Sequence, residues 1–400
     1  MNNNYITDTI PIQDLIRVDK DEKYTLMKYR KHETKQLTTL DAEGMEHMKK
    51  KSFTSEMFNG ELIYFRSLVF DSNCERLLSF TPPKSTKIVN DKMDFEEFVE
   101  GTMVSVFHNG ETWEIATRSV VGGRNTFFKD QQISKTFRTM FLEAMTNDIV
   151  EFEMLNEKYC YTFILQHPYN RVVVPFSKTS LYLVAVYEIT NTDDKEFIIQ
   201  EINRDTVRET HKELCRRVKF PTEYEGTIEE IQQKYCSEEA PYNIVGVMIK
   251  SGNQRDKIRN PVYERVRRLR GNQPKQQYQY LTLRKEGRVR ELLKYFPELK
   301  KKCSIWRNQI HSFTNSLHTN YLKVFVLHET PLENTSFELR PHIVKLHEMY
   351  IHELKPKDER VTRHKVIEYV NSLHPSQLLF AINTPIRKQH KDLLVRDFQK

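Results

Sequence analysis

A chain of 400 residues with 38% apolar and 11% aromatic side chains is long enough for two or three domains with real cores and too aromatic to be disordered. Its net charge of +7 conceals a local excess: Lys250 to Lys302 holds seventeen Lys and Arg against five Asp and Glu, the footprint of a polyanionic partner or of a solvated basic face. Cys74, Cys160, Cys215, Cys236 and Cys303 form no C-x-x-C pair, which speaks against a zinc ribbon or a secreted disulfide framework, and no apolar run approaches the roughly 20 residues of a membrane helix.

The opening residues are polar and carry no apolar signal segment, so the sequence reads as soluble and intracellular. Residues 1–60 are weakly patterned and read as a partly ordered lead-in. Strand-like segments follow at Ile63 to Phe70, Thr102 to Phe107 and Trp113 to Ser119. The Asn109-Gly110 pair between the last two is a strong hairpin signal. Tyr159 to Gln166, Arg171 to Pro175 and Leu181 to Ile189 continue the series, with Pro168-Tyr169-Asn170 turning the chain. Lys195 to Val218 has apolar residues at helical spacing, and Thr227 with Glu230 forms a capping box. Asn243 to Ile249 is the last segment that reads as a strand. Asn260-Pro261 then opens a helix with Val262, Val266 and Leu269 on its core face and Gly271 at its end. From about residue 285 to the end the pattern is helical. The boundaries fall at 1–60, 61–272 and 273–400, an α+β organisation with a β-rich middle and a helical C-terminal domain.

The basic excess centres on the helix after Pro261 and its flanks: Arg255, Lys257, Arg259, Arg265, Arg267, Arg268, Arg270 and Lys275. Tyr278 and Tyr280 follow at once. Guanidinium forks match phosphate geometry, and tyrosine faces stack unpaired bases, so Arg265, Arg267, Arg268, Arg270, Lys275, Tyr278 and Tyr280 are expected to contact RNA. The structural alternative packs both tyrosines into the helical domain and pairs the arginines with Glu264 and Asp256. An acidic protein partner is a third option.

Familiar phosphate loops are absent, since neither G-x-x-x-x-G-K-[ST] nor G-x-G-x-x-G occurs. His347 and His352 have i, i+5 spacing, which on an α-helix does not place both on one face. No metal site is expected there.

From about Phe65 to Asn260 the order of signals resembles the phage-type RNA ligases, members of the covalent nucleotidyltransferases with DNA ligases and capping enzymes. Phe65-Arg66-Ser67 is similar to the arginine-bearing strand before their active site, and Ser79-Phe80-Thr81-Pro82-Pro83-Lys84-Ser85 to the Pro-Lys-Phe-Phe-Asn stretch after it. Phe98-Val99-Glu100-Gly101-Thr102 stands where the nucleophile motif Lys-x-Asp-Gly-Ser/Thr belongs. Thr117-Arg118 resembles the strand end after it, Pro168 to Val173 the motif ending Pro-x-Asn-Arg-Ile-Val, and Lys257-Ile258-Arg259 the closing Lys-x-Lys. The Glu-Gly-Thr and Arg-Asn-Pro versions resemble a divergent group associated with large DNA viruses, which would place the protein in host cytoplasm or virion.

The resemblance implies a twisted antiparallel β core of nucleotidyltransferase (ligase) type over 61–272. It implies nucleotide binding by Arg66, Glu100, Gly101, Arg118, Lys257 and Arg259. In an active member a neutral lysine amine attacks the α-phosphorus of ATP, with Mg²⁺ and two carboxylates assisting. Here the nucleophile position is Phe98 and the carboxylate positions are Ile164 and Val245. Three readings follow: a catalytically degenerate ligase that binds RNA or nucleotide; an active ATP-dependent ligase with a displaced lysine, Lys84 rather than Lys87 or Lys92; or a structural protein reusing the fold.

Overall fold

The computed structural model describes residues 3–7, 16–20, 22–28, 66–85, 88, 92–126, 135–191, 197–252, 254–273 and 275–397. Two compact units divide at Arg267/Arg268. The predicted Ile63–Phe65 stretch and Lys87 lie outside the described residues.

Among the described residues the first unit is built on three sheets whose named strands all pair antiparallel. The largest has six strands in the order β1 (Asn3–Thr7), β11 (Phe197–Glu201), β10 (Ser180–Asn191), β9 (Tyr159–Gln166), β7 (Thr102–His108) and β8 (Trp113–Thr117). A second joins β12 (Glu223–Tyr224), β6 (Asp94–Glu97), β13 (Gly246–Ser251) and β14 (Gln254–Arg259), and a third joins β2 (Ile16–Lys20), β3 (Tyr24–Lys28), β4 (Leu68–Asp71) and β5 (Leu77–Phe80). Within the described part of the opening sixty residues, β1 pairs with β11, and β3 with β4.

Strand β9 contributes to two cores, one from each face. Tyr161, Phe163 and Leu165 enter one core with Phe137, Met140 and Phe141 of α1 (Phe137–Asp148). Cys160, on the opposite face, joins a second core with Phe70, Phe80 and Tyr187 from the third sheet and β10. Edge-to-face contacts Phe80–Tyr187 and Phe70–Phe197 tie these sheets together, at 4.9 and 5.5 Å between ring centres. The hairpin at Asn109 forms as expected, with Asn109 Oδ1 accepting the N–H groups of Glu111 and Thr112 at 2.8 Å each.

Three local expectations change. Arg171 to Pro175 is not a strand; it is a loop held by side-chain contacts described below. The first part of 195–218 pairs as β11, and only Arg204–Thr210 (α2) and Lys212–Arg217 (α3) are helical, since Phe197 and Ile199 alternate toward one core at strand period. Strand β14 lies in the basic stretch that reads as helix and flanks. By contrast, α4 (Ile228–Tyr235) opens on the Thr227–Glu230 capping box, and α5 (Pro261–Arg270) on Asn260, whose Oδ1 accepts Val262 N–H at 2.8 Å.

The second unit is helical. It comprises α6 (Gln276–Lys285), α7 (Val289–Tyr295), the long α8 (Lys300–Phe325), α9 (Arg340–Met349), α10 (Arg363–Ser372) and α11 (Pro375–Asp397). Helices α6, α9, α10 and α11 pack on α8. A π-helical turn, Tyr350–Leu354, continues α9, and His347 lies flat against Phe325. Among the described residues no helix is long and apolar enough to cross a membrane.

Candidate functional site

Strand alternation builds one wall of a cavity of about 590 Å³. On β7 and β9, Val104 and Phe163 face the α1 side, so Met103 and Ile164, paired in register, face the other way and line the cavity. The β-bulge between Leu183 and Ala185 of β10 inserts Val184, which lines it too.

The second sheet supplies the opposite wall by the same rule. Val247 and Ile249 of β13 and Phe95 of β6 go to a small core with Ile231 of α4. Met248 and Glu96 alternate with them and face the cavity. On β14, Arg255, Lys257 and Arg259 share one face at i, i+2, i+4, and the first two line the cavity. Arg66, Pro82, Pro83 and Lys84 enter from either end of the β4–β5 hairpin, Arg118 from the end of β8, and Phe98 from the exit of β6. Segments far apart in the chain thus deliver Arg66, Lys84, Arg118, Arg255 and Lys257 to one space.

Among the described residues, five cations and two carboxylates, Glu96 and Glu97, line the cavity. Burial first, and then Arg118 and Arg255, pull the Arg66 pKa down to about 10. Its Nε is buried with no hydrogen-bond partner among the described residues. Lys257 is also lowered, by burial and then by Arg259 and Arg66. Like charges so crowded mark a place where an anion is favoured.

Glu96 is the counterweight. It is 4% exposed and takes Arg204 Nη2 at 2.7 Å, Lys250 Nζ at 2.9 Å and Arg255 Nη2 at 3.5 Å. Burial works against its charge, but Lys250, Arg255 and Arg204 together hold its carboxyl below the ordinary range. Neither Glu96 nor Lys250 stands out in the sequence; the only signal would have been the alternation Arg255-x-Lys257-x-Arg259 read as a strand.

Three residues expected to bind nucleotide sit outside the cavity wall. Glu100 accepts the N–H groups of Val173 at 2.8 Å and Val174 at 3.1 Å, with Tyr263 also bonded to it; burial raises its pKa against these bonds. It fastens the 171–175 loop. Gly101 has φ +154, and a Cβ there would lie 2.5 Å from the Leu165 carbonyl oxygen, so the glycine is required by close approach of β9. Asn170 Nδ2 donates to Thr102 Oγ1 at 2.7 Å, completing the clasp between these two motif segments. Arg259 pairs with Glu264 and lies over the Phe98 ring at 5.1 Å.

The residues expected to contact RNA also divide. Arg265, Arg268 and Lys275 are exposed, Arg265 paired with Glu238. Arg267 is half-buried against Glu264, and Tyr278 is half-buried. Arg270 is 9% exposed over the Phe296 ring, and Tyr280 is 4% exposed beside Trp306, so neither offers a free face for stacking or pairing.

The divalent ion implied by the ligase resemblance does not fit this donor set. Ile164 lines the cavity with hydrocarbon, Glu96 is engaged by three cations, and Glu97 accepts from Thr222 N–H and Oγ1. Among the described residues no group of three His, Cys, Asp or Glu is placed to hold a metal.

No family model matches the sequence. Over 103 residues the chain is 29% identical to an RNA ligase of Rhodothermus phage RM378, a match covering 24% of this chain and 23% of that protein. The chain therefore matches less than a quarter of that relative's length. Among solved structures, a mutant of Naegleria gruberi RNA ligase with ATP and Mn covers 44% of this chain and 51% of its own, with 13% identity and a TM-score of 0.31. A further Naegleria gruberi RNA ligase mutant, apo, covers 65% of this chain and 96% of its own, with 12% identity and a TM-score of 0.29. The chain is a mixed helix and antiparallel-sheet protein with a local, RNA-ligase-like relationship in sequence.

Proposed function

We propose that this protein binds the phosphates of a nucleotide or of an RNA end in the cavity above, on an RNA-ligase-like scaffold, without forming a lysyl–nucleotide bond at the usual position. The observation that carries the reading is the convergence of Arg66, Lys84, Arg118, Arg255 and Lys257 on one space. Cations of this kind hold phosphate whether or not chemistry follows. Phe98, which supplies no nucleophile, contributes an apolar wall. Exposed Arg265, Arg268 and Lys275, with half-buried Tyr278, are proposed to add RNA contacts.

A second reading keeps the chemistry. Lys84 lines the same cavity as Phe98, so its amine is the one to test as a displaced nucleophile. A neutral Nζ would attack the α-phosphorus of ATP, form a P–N bond, lose a proton and release pyrophosphate. Incubation with α-labelled ATP and Mg²⁺ or Mn²⁺, followed by denaturation, separates the two. Bound nucleotide without covalent label supports the degenerate ligase. Label that disappears in Lys84→Ala supports the active one, and absence of any ATP or RNA binding removes both.

A further inference from the structure

We infer that this cavity takes a polyphosphate chain without a divalent cation, the protein's own guanidinium and ammonium groups doing the neutralising. The inference rests on the anion-binding reading of the cavity and specifies its ligand chemistry.

A triphosphate at neutral pH carries three to four negative charges. In solution Mg²⁺ offsets about two of them, and metal-using phosphate sites hold that ion through carboxylates. This cavity inverts the balance. Among the described residues its lining includes Arg66, Arg118 and Lys257; Glu96 is shared by Arg204, Lys250 and Arg255, and Glu97 accepts from Thr222. Ile164 and Met103, a cross-strand pair, put hydrocarbon where donors to a metal would be needed.

Charge excess alone is a weak argument, because surface lysines also crowd. Arg66 makes it stronger. Its Nε is buried, faces no acceptor among the described residues, and its neighbours Arg118 and Arg255 are of its own sign. An unmatched buried donor is costly unless an acceptor arrives. Phosphate oxygens supply acceptors and charge together. A divalent cation on the ligand would remove part of that charge and add repulsion against Arg66, Arg118 and Arg255.

The test is titration calorimetry of the full chain with inorganic tripolyphosphate and with ATP, in excess EDTA and in excess Mg²⁺. Both ligands should bind in EDTA, and Mg²⁺ should leave the affinity unchanged or weaken it. Arg66→Ala should weaken binding in EDTA by about tenfold to a hundredfold, the range for losing a hydrogen bond to a charged group. Arg66→Lys should restore part of it. Lys257→Ala, on the opposite wall of the cavity, should weaken it independently. Binding that appears only with Mg²⁺ or Mn²⁺ overturns this inference and leaves the anion-binding reading standing. Absence of binding in either condition overturns both. Equal binding by wild type and both the Arg66→Ala and Lys257→Ala variants places the ligand elsewhere and overturns the inference as well.

Discussion

Replacing Glu96 with glutamine isolates the buried ion cluster that holds β6, β13 and β14 against α2. The side chain keeps its shape and one acceptor but loses its charge, leaving three cations without their shared counterion. The side chains concerned are little exposed: 6% for Glu96, 8% for Arg255, 16% for Arg204 and 24% for Lys250. Breaking a buried pair from one side costs about 3–5 kcal/mol. Arg204 retains Glu223, and Lys250 can partly rehydrate, so the lower end applies, about 3 kcal/mol. With an m-value of about 3 kcal/mol/M the urea midpoint of the first unit should fall by about 1 M. The two tryptophans make this measurable: Trp113 lies in the first unit and Trp306 in the second. In a Trp306→Phe background, fluorescence follows the first unit alone. A midpoint that moves by less than about 0.3 M, with m unchanged, would refute the argument that Glu96 holds this cluster.

Other outcomes follow from the same contacts. Glu96 titrates below its ordinary value of 4.5, so its contribution is intact above pH 4.5 and is lost as the pH falls through the lower folded value; acid unfolding of Glu96→Gln should therefore be shallower than that of wild type in the same fluorescence assay. Glu100→Ala should destabilise the first unit by about 2 kcal/mol, because Val173 and Val174 N–H groups lose their acceptor, whereas Glu100→Gln should cost less at neutral pH because burial already opposes the charge; urea denaturation of both variants checks this. Gly101→Ala should cost about 3 kcal/mol or abolish soluble expression, since its Cβ would meet the Leu165 carbonyl at 2.5 Å. Arg268→Ala should lower the slope of log K against log salt for single-stranded RNA by about 0.7, one phosphate contact, while Tyr280→Phe should leave it unchanged, as judged by anisotropy at several salt concentrations.

The Asn109 hairpin, the Thr227 capping box and the Asn260 cap are legible in the sequence because each is set within a few residues. Strand β9 is legible because aromatic, β-branched and other apolar residues dominate Tyr159 to Leu165. Pairing decided the rest. Strand β14 looks like a charged linker until β13 lies beside it, and only then do Arg255 and Lys257 share a face with Glu96 of β6. Residues 3–7 gain their strand from β11, nearly two hundred positions away, which local propensity does not encode. Glu100 and Gly101 look like ligand contacts in one dimension. In three dimensions the Glu100 carboxylate accepts two backbone N–H groups, and Gly101 leaves room for a neighbouring strand where a methyl would clash. The sequence alone thus determined which side chains were available for chemistry; tertiary structure decided which of them share a cavity and which are used up holding it together.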